Sequence, residues 1–124
     1  MHQIRFQTIV LLFLIAWILA MPEAAAQVSA EKPVYTIRDM PTAKNLIVES
    51  KVLAKAYRFE EAAQKMELAI EMWGQAMGRK NRTMGSFWND LGIIRYNQGR
   101  YDSAIVKFNL ALATYRSVFL SLIH

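Results

Sequence analysis

Slid along itself by 42 residues, the chain matches itself, and that internal repeat limits its fold more than any other feature. Tyr57-Arg58-Phe59-Glu60-Glu61-Ala62 falls on Gly99-Arg100-Tyr101-Asp102-Ser103-Ala104. Further on, Lys65/Lys107, Leu68/Leu110 and Ala69/Ala111 are identical, while Met66/Phe108, Ile70/Leu112 and Trp73/Tyr115 are chemically alike. Two unrelated amphipathic helices would share apolar positions but not a charged and aromatic frame. A period of this length marks a supersecondary unit that buries its apolar face only by stacking on a neighbour.

The unit is a pair of helices. From Ala43 onward there is no proline, and apolar residues recur at helical spacing, which predicts helices at about 42–56, 59–77, 85–97 and 101–118. The fold class expected is all-α, built from antiparallel helix-turn-helix pairs. Gly99 supplies the left-handed residue that ends one helix, and Glu60, Glu61 and Asp102 place carboxylates on helix N-termini. Ala104 and Ala111 let two helix axes approach, with Tyr101 and Phe108 filling the space beside them and Trp88, Leu91 and Ile94 lining the preceding helix. Gly92 sits mid-helix at a cost of about 1 kcal/mol; close approach of the partner helix at Ala104 is the expected reason. Val34 to Ile37 has strand composition but no second strand to pair with.

Trp88-x-x-Leu91-Gly92, Tyr96, Gly99-Arg100-Tyr101-Asp102-x-Ala104, Phe108 and Ala111 resemble a tetratricopeptide repeat, and the 42-residue interval resembles the longer subtype of kinesin light chains. The resemblance implies a short α-solenoid with a degenerate first repeat over 43–84 and a second over 85–118. Departures fall in both: Tyr57 stands at the turn glycine, Glu49-Ser50 at the Leu-Gly pair, Arg95 at an aromatic and Arg116 at a proline. By position, the resemblance implies a concave groove formed by Asn89, Asp90, Ile93, Tyr96 and Asn97 with Lys44, Ile47, Val48, Lys51 and Lys55, receiving a protein or peptide ligand. The competing reading has these residues solvate a helix face or pack on a third repeat. A carboxylate clamp is not expected, because Ile47 and Lys51 occupy its positions.

The N-terminus carries a different signal. Arg5 precedes the uncharged run Ile9 to Met21, and Ala24 and Ala26 follow at A-x-A spacing, so residues 1–26 read as a signal peptide cleaved before Gln27. The thirteen apolar residues span about 20 Å as a helix, short of a bilayer core of about 30 Å. The alternative is a membrane anchor over residues 4–21, and membrane association is expected only if the segment is uncleaved. The expected location is the bacterial periplasm or outside the cell; residues 27–42 read as an extended lead-in to the helices.

Composition removes much chemistry. There is no Cys, and the two His lie in the leader and at the last position, leaving no thiol nucleophile, no thiolate zinc site and no interior general base. No enzymatic activity, cofactor or metal is therefore expected. The net charge of +5 favours acidic partners; export argues against nucleic acid, and the basic run Arg79-Lys80-Asn81-Arg82 reads as a solvated loop. Glu60-Glu61 cannot act as paired carboxylates, since adjacent helical residues diverge by about 100°. Met66, Met72, Met77 and Met84 read as core or groove fillers. Finally, 119–124 is expected to be an irregular apolar tail whose Phe119, Leu120, Leu122 and Ile123 dock on a partner or a second copy. The alternative is an N-terminal fragment of a larger exported repeat protein with an enzymatic or signalling domain elsewhere.

Overall fold

The computed structural model describes residues 7–16 and 31–123. The chain divides into two compact units, Met1–Pro33 and Val34–His124. In the first, α1 (Gln7–Ala16) is a short apolar helix. The expected cleavage site at Ala24, Ala26 and Gln27, and most of the expected leader, lie outside the described residues.

The second unit is entirely helical: a 3-10 turn (Ile37–Asp39), then α2 (Met40–Lys55), α3 (Phe59–Met77), α4 (Arg82–Asn97) and α5 (Tyr101–Leu122). Among the described residues there is no strand, and Val34 to Thr36 enters as irregular chain. Thr36 and Asp39 form a reciprocal capping box around the 3-10 turn. The Tyr35 N–H donates to Gln75 Oε1 (2.8 Å), tying the lead-in to the last turns of α3. Pro41 falls in the first turn of α2, where its missing N–H has no helical partner to lose. That is why the helix begins within the span expected to be extended.

The two hairpins share one backbone. The turn after α2 passes through Tyr57 with φ +61°, and the turn after α4 through Gly99 with φ +76°. The N–H of Tyr57 donates to the Ala54 carbonyl and that of Arg58 to Leu53; 42 residues on, Gly99 donates to Tyr96 and Arg100 to Arg95. These paired bonds satisfy the last helical carbonyls at both ends. The next residue repeats as well, with φ/ψ of −90°/64° at Arg58 and −88°/69° at Arg100.

The core is one cluster built around α3. Ala43, Leu46 and Ile47 of α2 and Met84, Phe87, Leu91 and Ile94 of α4 close on Ala62, Ala63, Met66, Ala69, Ile70 and Met72. Fully burying a side chain such as Leu91 contributes about 1.5–3 kcal/mol. Small residues set the helix spacing. A Cβ on Gly92 would lie 2.6 Å from the Phe108 ring, and one on Gly85 2.6 Å from the Tyr115 ring. Two notches seven residues apart on α4 thus receive two rings seven apart on antiparallel α5. The group over Gly92 is therefore Phe108 and not Ala104, which is itself buried. Tyr101 is exposed and fills no core space; its ring lies 5.2 Å from that of Tyr96. Lys107 lies over the Trp88 ring at 5.2 Å.

α5 continues to Leu122 where an irregular tail is expected from 119. No proline or glycine interrupts the chain there, and residues 118–120 are apolar. This helix is long and apolar enough to cross a membrane by length and composition, with 6% of its most apolar stretch buried.

Candidate functional site

α2 and α4, the first helices of the two hairpins, lie on either side of a depression of about 220 Å³ lined by Lys51, Ala54, Lys55, Met66, Asp90, Ile93 and Ile94. Its walls follow from helical spacing: Lys51, Ala54 and Lys55 share one face of α2, as do Asp90, Ile93 and Ile94 on α4. Met66 of α3, fully buried, forms the floor. The site therefore has an apolar base, two ammonium groups on one wall and one carboxylate on the other. Burial pushes the Asp90 carboxyl above its ordinary range, and the charge of Lys51 opposes that rise.

Of the expected groove residues, Lys51, Lys55, Asp90 and Ile93 are brought together here. Asn97 lines an adjoining depression with Ala54, Lys55, Tyr57 and Phe59. Asn89 is exposed on α4 and lines neither depression, and Tyr96 is exposed against Tyr101. Ile47 is a correction: it is buried in the core, so it offers nothing to a ligand. Val48 lines a depression along α2 with Glu49, Val52, Leu53, Glu61 and Lys65, away from the α4 residues.

Beside this site the hairpins are joined by a charged residue that the repeat pattern marks only as a departure. Arg95 is 7% exposed. Its Nη2 donates to Glu67 Oε1 at 2.5 Å and its Nη1 to Gln98 Oε1 at 2.9 Å, with Glu60 Oε2 at 3.5 Å. Gln98 in turn donates to Glu60 Oε2 at 2.8 Å. That hydrogen bond, with the nearby Arg100 and Arg95 charges, holds the Glu60 carboxyl below its usual range. Arg95 Nε is buried without a partner. The sequence carries only the position: Arg95 continues the stripe Met84, Trp88 and Leu91 at spacings of four and three, with Met84 and Leu91 buried and Trp88 half-buried.

Lys51, Lys55 and Asp90 offer charge around an apolar seat. Among the described residues, no group of three or more His, Asp or Glu is placed to hold a metal ion. No family model, curated protein or solved structure matches the chain.

Proposed function

We propose that the protein is an exported binding module of tetratricopeptide type, holding an acidic peptide or partner surface in the groove between α2 and α4. The observation that carries this reading is the shared cavity, where Lys51 and Lys55 of one repeat face Asp90 and Ile93 of the next above a methionine floor. Methionine adapts its shape to varied apolar side chains, and the two ammonium groups attract a flanking carboxylate. The ligand is thus a segment with an apolar residue beside an acidic one, and Asn97 extends the contact along the adjoining depression. Asn89 and Tyr96 serve as outer contacts, offering amide and phenol groups to the peptide backbone. The role is recognition without catalysis, in the periplasm or outside the cell after removal of the leader.

Binding of the full chain to peptide panels differing only in charge tests the reading. Acidic-apolar peptides are expected to bind and basic ones not, with Ile93→Asp abolishing retention and the pair Lys51→Glu and Lys55→Glu inverting the charge preference. Equal retention of acidic and basic peptides would contradict it.

A further inference from the structure

The repeat assigns a use to the exposed side of α5. On α3, the stripe Glu60, Ala63, Glu67 and Ile70 is the side that faces α4: Ala63 and Ile70 are 0% and 3% exposed, and Glu60 and Glu67 reach Arg95; Gly74, beside Arg79, and Met77, 54% exposed, continue it to the end of the helix. Its equivalents 42 residues on are Asp102, Ile105, Asn109, Leu112, Arg116 and Phe119, and every one of them is exposed. Ile105 and Leu112, at the Ala63 and Ile70 positions, are 57% and 56% exposed. The face that joins the two hairpins recurs on α5 without a covering helix among the described residues.

Its charges say what covers it. A helix like α4 brings a buried arginine that needs the Glu67 carboxylate, and at that place α5 has Asn109; the arginine would be left unpaired. The α5 stripe is instead complementary to itself. Spacings of three and four alternate along it, as in a two-helix seam, with Asn109 at the centre and Asp102 and Arg116 seven residues to either side. Reversing one copy about Asn109 sets Asp102 of each chain beside Arg116 of the other and Ile105 of each beside Leu112 of the other, while Phe119 falls past the start of the other α5. Lipid is a poorer occupant, since Asp102, Asn109 and Arg116 all lie in the stripe. We propose that α5 is a self-association helix, packing antiparallel on α5 of a second copy across a two-fold axis at Asn109. The interface is isologous and leaves the α2–α4 groove open.

The chain has no cysteine, so single cysteines report directly. In the full chain, Asn109→Cys is expected to form an intermolecular disulfide much faster than Ser86→Cys on α4. A mixture of Asp102→Cys and Arg116→Cys chains is expected to cross-link to each other in preference to themselves. By sedimentation, Asp102→Arg or Arg116→Asp alone is expected to weaken dimerisation about tenfold, and the two together to restore it. A concentration-independent monomer, Asn109→Cys no faster than Ser86→Cys, self-pairing of Asp102→Cys, charge variants that associate unchanged, or capture of the chain by lipid vesicles through α5 would each overturn the proposal.

Discussion

The hairpins α2–α3 and α4–α5 follow one backbone and fill it differently. Both turn through a left-handed residue, but the first uses Tyr57 and the second Gly99. Both keep small residues at the helix crossings, Ala62 and Ala69 against Ala104 and Ala111. Where α4 has Gly92 beneath the Phe108 ring, α2 has Ser50, whose hydroxyl donates to the Ala62 carbonyl at 2.7 Å. Leu53 stands where Arg95 ties the second hairpin to Glu60 and Glu67. The comparison separates what the unit requires, a left-handed turn and narrow crossings, from what it tolerates. The size of the inserted side chain and the charge at the inter-hairpin position are free to differ.

The largest way to break this equivalence is at Gly92. Leucine there drives its side chain into the Phe108 ring, which would lie only 2.6 Å from the Cβ alone, and is expected to cost about 3 kcal/mol by overpacking, read as a urea midpoint. Next comes Arg95→Ala, expected to cost about 2 kcal/mol because hydrogen bonds to charged partners and buried packing are lost together. Arg95→Leu, which copies Leu53, is expected to recover most of that loss. Tyr57→Gly makes the two turns alike and is expected to stabilise by about 1 kcal/mol, the relief of a left-handed residue bearing a Cβ. A loss of stability there would show that the Tyr57 ring, edge-on to Phe59, outweighs the backbone cost.

The smallest effects are pH-dependent and opposite in sign. Glu60 has its carboxyl lowered from 4.5 by Gln98, Arg100 and Arg95. Its stabilisation is therefore present above that value and lost as pH falls through the folded-state value. Asp90 is raised from 3.8 by burial. Its ionisation is penalised in the folded state, so the penalty is absent below 3.8 and develops as pH rises through the folded-state value. Near neutral pH Glu60→Gln is expected to lower Tm and Asp90→Asn to raise it slightly. Both differences from wild type should shrink on acidification.

Much of this is legible in the sequence because the repeat and the helical period point the same way. α3 is found over the span the periodicity predicts, 59–77. α4 starts three residues earlier than expected, since Asn81 caps it by accepting from the Met84 N–H at 2.9 Å. Asn81 stands within a run that reads as a basic loop, although asparagine before a helical run is itself a start signal. α5 runs longer because helical signals stop it nowhere before Leu122. In the candidate site, Lys51, Lys55, Asp90 and Ile93 are among the positions the resemblance implies, and the structure places them around one depression. The resemblance does not tell Ile47, which turns into the core, from Val48, which does not. Arg95 escapes sequence reasoning because a charge on an apolar stripe becomes intelligible only when its partners, 28 and 35 residues away, are seen beside it.

Amide hydrogen exchange tests the central claim, one backbone unit repeated at 42 residues, most directly. The Arg58 and Arg100 amides donate to Leu53 and Arg95, and the Ala62 and Ala104 amides to Arg58 and Arg100. The account predicts that both members of each pair are protected and that the protection pattern of 53–70 recurs over 95–112. Protection confined to one hairpin, or recurring at another interval, would contradict it.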